Sequence, residues 1–186
     1  MGSPFTIRER VRWIDCDAAQ IIYYGAYTRF FEIAETEMYR SVGLPYAVAF
    51  SRLQCFPIRA AFHCEYRHPP TVDDPMEIAI WVSHWGNTSF TVSFRFTHAE
   101  SGVLLAEGYC RQVTVGLGDK KKLPIPDLLR TALAPFTMIA PADADATDTA
   151  ASDAASTDAA STDAASTDTA ASDAVPTSQS ADRSAS

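Results

Sequence analysis

The sequence predicts an α+β domain, one amphipathic helix packed on a mostly antiparallel sheet. Three observations lead there. A three-to-four-residue apolar period occurs over one long segment, 26–42. Two-residue alternation of apolar and polar side chains marks the segments around it. The connections between those segments are short and rich in turn residues, which suits hairpins.

Taken in order, 5–14 carries Phe5, Ile7, Val11 and Trp13 at odd positions and reads as a strand with one buried face. A loop, Asp15 to Gln20, follows, and then the apolar run Ile21-Ile22-Tyr23-Tyr24 leading to Gly25. Over 26–42, Tyr27, Phe30, Phe31, Ala34 and Met38 recur at helical spacing, opposite Arg29, Glu32, Thr36 and Arg40. Gly43 supplies a left-handed cap and Pro45 blocks continuation. Residues 46–50 read as a short helical turn. Strands are expected within 56–66, over 76–85, over 90–96 and over 103–115. Gly86-Asn87 and Glu100-Ser101-Gly102 are the turns between the last three. A short helix is expected over 127–133.

The chain has 186 residues, and composition divides it at 140. Beyond that point Asp recurs every five residues from Asp143 to Asp173 among Ala, Ser and Thr, with no aromatic residue. Such a segment buries too little apolar surface to offset its conformational entropy, so 141–186 is expected to be a disordered, solvating tail. It also carries the charge. Nine Asp and one Arg account for the net −8, while fourteen acids and fourteen bases balance over 1–140. A neutral body argues against nucleic acid as a partner. No run approaches the ~18–20 apolar residues of a membrane helix. The N-terminus lacks a signal peptide's apolar run, so a cytoplasmic location is expected. Cys16, Cys55, Cys64 and Cys110 lack metal-ligand spacing and read as reduced thiols.

The chemistry concentrates in 15–32. Asp15 and Asp17 precede an apolar lead-in and a helix N-terminus near Gly25. Free amides there favour negative charge. Acyl transfer needs such donors for a developing oxyanion and a carboxylate that attacks the carbonyl or activates water. An Asp after a strand equally makes an Asx-turn, and Glu32 equally pairs with Arg29, so spacing alone leaves both readings open.

The stretch RVRWIDCDAAQIIYYGAYTRFFEIAETEM, 10–38, resembles the signature of the 4-hydroxybenzoyl-CoA thioesterase family. The features that match are Asp-x-Asp-x-Ala, an aromatic pair, Tyr27, a second aromatic pair and Glu32. The resemblance extends across roughly 5–135 and implies a hotdog fold over 1–140, with a helix wrapped by the sheet. It implies an acyl-CoA substrate, no metal and no bound cofactor. It also implies a homodimer or homotetramer with sites at subunit interfaces. Residue by residue, it implies Asp17 as the catalytic carboxylate and the amide of Tyr24 or Gly25 as oxyanion donor. Glu32 falls on an acidic helix position that in some members faces the acyl group. Tyr23 is read as a substrate contact, with Tyr23 and Tyr24 as packing residues and not acid–base groups. Members carry Gly where this chain has Gln20, which predicts a different bend in the loop. They carry Asn or Ser where it has Ala26, which removes a polar contact. An acyl-carrier-protein thioesterase and a non-catalytic acyl-CoA-binding protein are the alternatives. The Lys120-Lys121-Lys122 run is an exposed loop or a hold for coenzyme A phosphates.

Overall fold

Helix and sheet meet through one layer of aromatic side chains. The computed structural model describes residues 2–139, and the tail expected over 141–186 lies outside them. Strands β1 (Phe5–Arg10), β2 (Cys55–Tyr66), β3 (Pro75–Trp85), β4 (Ser89–His98) and β5 (Leu104–Gly116) form one sheet. Its order is β1-β3-β4-β5-β2, and every neighbouring pair is antiparallel. Helix α1 (Ala26–Ser41) lies against it. Alternation in β4 turns Phe90, Val92, Phe94 and Phe96 toward the helix, each at most 1% exposed. The helical period turns Tyr27, Phe30, Phe31, Ala34 and Met38 toward the sheet. The Phe31 ring lies 5.6 Å from Phe94, and Tyr27 meets Phe96 edge-on at 5.4 Å. Each such burial is worth about 1.5–3 kcal/mol. This is the α+β hotdog arrangement that the sequence suggested.

Two elements differ from expectation. The first strand ends at Arg10 instead of running to residue 14. Val11 is buried and tied to the loop before β3, with its amide on the Asp74 carbonyl at 3.1 Å. The chain then makes a short 3-10 turn, Trp13–Asp15, which leaves Trp13 79% exposed. The cause is the Asp15 carboxylate, which accepts the Arg12 amide at 2.9 Å and outcompetes continued pairing. Residues 46–53 form a full two-turn helix, α2 (Tyr46–Leu53), which buries Ala49 and Leu53. Gly43 takes the left-handed conformation after α1, as expected of a cap.

Strand β2 is an edge, and it is bulged between Arg59 and Ala61. The tight turn between β3 and β4 forms at Gly86, whose amide bonds the Ser89 carbonyl at 2.8 Å. The final helix, α3 (Asp127–Leu133), buries Leu129 and Leu133. The Met138 amide then bonds the Val82 carbonyl at 2.9 Å.

Candidate active site

The loop from Asp15 to Tyr23 closes on itself like a small hairpin. The Tyr23 amide bonds the Asp15 carbonyl at 3.0 Å, Cys16 bridges Ile22, and the Asp17 amide bonds the Ile21 carbonyl at 3.0 Å. Gln20, at the tip, has φ of 64°. That is the left-handed region that favours glycine, so the bend a glycine would make is made here with strain.

The two acids of the motif have opposite surroundings. Asp15 is 1% exposed. Its carboxylate accepts the Arg12 amide and an ion pair from Arg29 of α1. Asp17 is exposed. Its Oδ1 accepts the Ala19 amide at 2.8 Å, an Asx-turn, and no other hydrogen bond reaches its carboxylate among the described residues. Oδ2 therefore faces solvent unpartnered. Cys16 stands between these acids. Burial first, then Asp15, Asp17 and Asp74, push its thiol up, which disfavours the nucleophilic thiolate there.

The helix entry supplies donors. Gly25 already has helical backbone angles, φ −71° and ψ −20°. Among the described residues, the amides of Tyr24 and Gly25 donate to no acceptor. Tyr24 is 76% exposed and Tyr23 41%, so neither belongs to the core. A Cβ on Gly25 would come within 2.4 Å of the Tyr23 ring, so this position takes only glycine while that ring lies across it. The chain thus carries an unpartnered carboxylate oxygen on a nine-residue loop and free amides on the two residues that lead from it into α1.

Glu32 is exposed on α1 and shares a shallow groove of about 220 Å³ with Arg29, Ile33, Thr36 and Glu37. The Arg29–Glu32 pairing open in the sequence does not form, because Arg29 is held by Asp15. Lys120, Lys121 and Lys122 are exposed. Lys120 lies over the Phe56 ring and Lys121 pairs with Asp119. Among the described residues no three His, Cys, Asp or Glu side chains converge as a metal site requires.

One polar cluster escaped sequence reading. Glu35, 1% exposed, accepts from Tyr46 at 2.8 Å, from Arg59 at 2.6 Å and from Gln112. Burial pushes its carboxyl up, against the pull of Arg59, Tyr46 and Gln112. The available signal was its position four residues from Phe31 and Tyr39, a charge on the apolar face of the helix.

Comparison with known proteins places the chain in a family. The Thioesterase-like superfamily matches residues 11–133, and the chain belongs to it. The acyl-CoA thioester hydrolase YbgC of Escherichia coli is 30% identical over 95 residues, which cover 51% of this chain and 70% of that protein. A candidate esterase of Aquifex aeolicus is 34% identical over 92 residues, 49% of this chain and 70% of that one. Among solved structures, a 1,4-dihydroxy-2-naphthoyl-CoA thioesterase from Synechocystis superposes with a TM-score of 0.66 at 21% identity. That match covers 70% of this chain and 96% of the other, and it supports the fold.

Proposed function

We propose that the protein hydrolyses an acyl-CoA thioester to the free acid and coenzyme A. Asp17 acts as nucleophile or general base, and the amide of Tyr24 or Gly25 holds the oxyanion. The observation that carries this reading is the contrast within the motif: Asp15 is buried and holds two donors, while Asp17 keeps Oδ2 free on the loop that leads to a helix start with undonated amides. In the nucleophilic route, the carboxylate attacks the thioester carbonyl and the tetrahedral adduct expels the thiolate, which takes a proton. Water then cleaves the mixed anhydride. In the general-base route, Asp17 takes a proton from water as it attacks the same carbonyl. Glu32 and Tyr23 contact the substrate in this reading.

The reading extends to assembly. β2 leaves one row of backbone groups unpaired and exposes Ile58 and Tyr66, which suits pairing with a second copy. We take the working unit to be a homodimer or homotetramer, cytoplasmic, and similar to 4-hydroxybenzoyl-CoA thioesterases.

Free-thiol release from acetyl-, phenylacetyl-, benzoyl- and palmitoyl-CoA tests the activity. Asp17→Asn should lower the rate by about 10²–10⁴-fold, with binding retained. Asp15→Asn should cost far less rate than Asp17→Asn, through a less stable loop. Full turnover by Asp17→Asn would sink the assignment.

A further inference from the structure

We infer that Arg29 is a positioning residue for the reaction, acting through Asp15, a proposal that rests on the catalytic reading of Asp17. The loop that carries Asp17 is closed by its own backbone bonds, so it is a small unit with a fixed internal shape. One backbone bond, from the Ala26 amide to the Tyr23 carbonyl at 3.0 Å, ties its far end to the start of α1, and the Ile22 amide on the Pro70 carbonyl at 2.9 Å ties it to the loop before β3. Arg29 adds the tie at its near end. It is one turn into the helix, and its guanidinium reaches back to Oδ1 of the buried Asp15. The same Asp15 accepts the Arg12 amide on its other oxygen and the Tyr23 amide on its carbonyl. One residue therefore joins the turn before the loop, the far end of the loop and the helix. Asp17 follows it by two positions, and the Tyr24 amide follows Tyr23 by one. The ion pair thus fixes carboxylate and oxyanion donor to one frame.

Two further features suit arginine to this place. Its guanidinium lies 4.3 Å from the Phe30 ring centre, which orients the plane before it meets the carboxylate. Pairing also neutralises Asp15, leaving Asp17 as the loop's one uncompensated acid. Lysine offers a point charge with neither the plane nor the stacking.

The prediction is a loss in kcat with little change in KM, since a misplacement near 1 Å costs about 10²-fold. The substrate is whichever of the four acyl-CoA esters the wild type cleaves fastest. Arg29→Ala should lower kcat about 10–100-fold with KM within about threefold. Added guanidinium ion should recover part of the rate, as it would not for a residue that only supports the fold. Arg29→Lys should fall between Arg29→Ala and wild type. The double variant Asp15→Asn/Arg29→Ala should be no slower than its worse single variant, because the two act as one unit. A kcat within twofold of wild type in Arg29→Ala would overturn the proposal. So would a rise in KM alone, or a loss without guanidinium rescue in a protein whose circular dichroism shows it unfolded. Asp17→Asn run in parallel separates the two readings. If it turns over normally, the catalytic reading fails whatever Arg29 does; if it is dead while Arg29→Ala is unchanged, only the positioning role fails.

Discussion

Replacing Glu35 by Ala tests the buried cluster that joins α1, α2, β2 and β5. Three donors converge on this carboxylate: Tyr46, Arg59 and Gln112. They do not suffer equally when it is removed. Gln112 is 1% exposed and would be left without its acceptor, at about 1–3 kcal/mol. The Arg59 side chain is 43% exposed and can turn to water. Breaking a buried pair costs about 3–5 kcal/mol when the remaining charge stays trapped. Here the escape of Arg59 points to the lower end, about 3 kcal/mol. Urea denaturation with linear extrapolation measures it. A loss under about 1 kcal/mol would refute the idea that this cluster holds the elements together. The pH dependence is a second check. Because burial raises the folded-state value above the ordinary 4.5, the folded form binds the Glu35 proton more tightly than the unfolded form. The part of its contribution that depends on that proton is then complete below 4.5 and lost as pH rises through the raised value. Glu35→Gln should flatten that slope.

Other substitutions probe single positions. A methyl group on Gly108 would lie 2.0 Å from the His63 carbonyl oxygen and 2.8 Å from Phe94, so Gly108→Ala should cost about 1–3 kcal/mol in thermal melts. The hydroxyl of Tyr39 is buried without a partner among the described residues, so Tyr39→Phe should gain about 1 kcal/mol; a loss of that size would reveal a hidden bond. Gln20→Gly should relieve left-handed strain and gain about 0.5 kcal/mol after the extra unfolded-state entropy, read as a small rise in Tm.

Much of the fold was legible because its signals are local and repeated. Phe90 to Phe96 alternate cleanly, and the stripe from Tyr27 to Met38 keeps one period, so the sheet's clearest strand and its helix follow from spacing. Trp13 misled for a physical reason. It continues the odd-numbered apolar pattern, but the Asp15 carboxylate captures the Arg12 amide and turns the chain out of register. The bulge at Arg59 and the burial of Glu35 were hidden because both arise between segments far apart in sequence, as in the Arg59–Glu35 contact across 24 residues. At the site, the presence of two acids was plain. The resemblance also singled out Asp17, but that Arg29 reaches Asp15 and leaves Asp17 exposed takes the fold to see.

The Asx-turn at Asp17 has an isotopic consequence. Oδ1 is held by the Ala19 amide, so the carboxylate is tethered against rotation. In an anhydride route whose water attacks the Asp17 carboxyl carbon, Oδ2 departs with the product acid and a solvent oxygen replaces it at each turnover. Run for many cycles in heavy-oxygen water, a tethered side chain acquires one heavy atom and no more. A freely spinning one would go on to collect a second. The mass of the peptide bearing Asp17 would therefore test both the proposed anhydride route and the hold of the Ala19 amide on Oδ1.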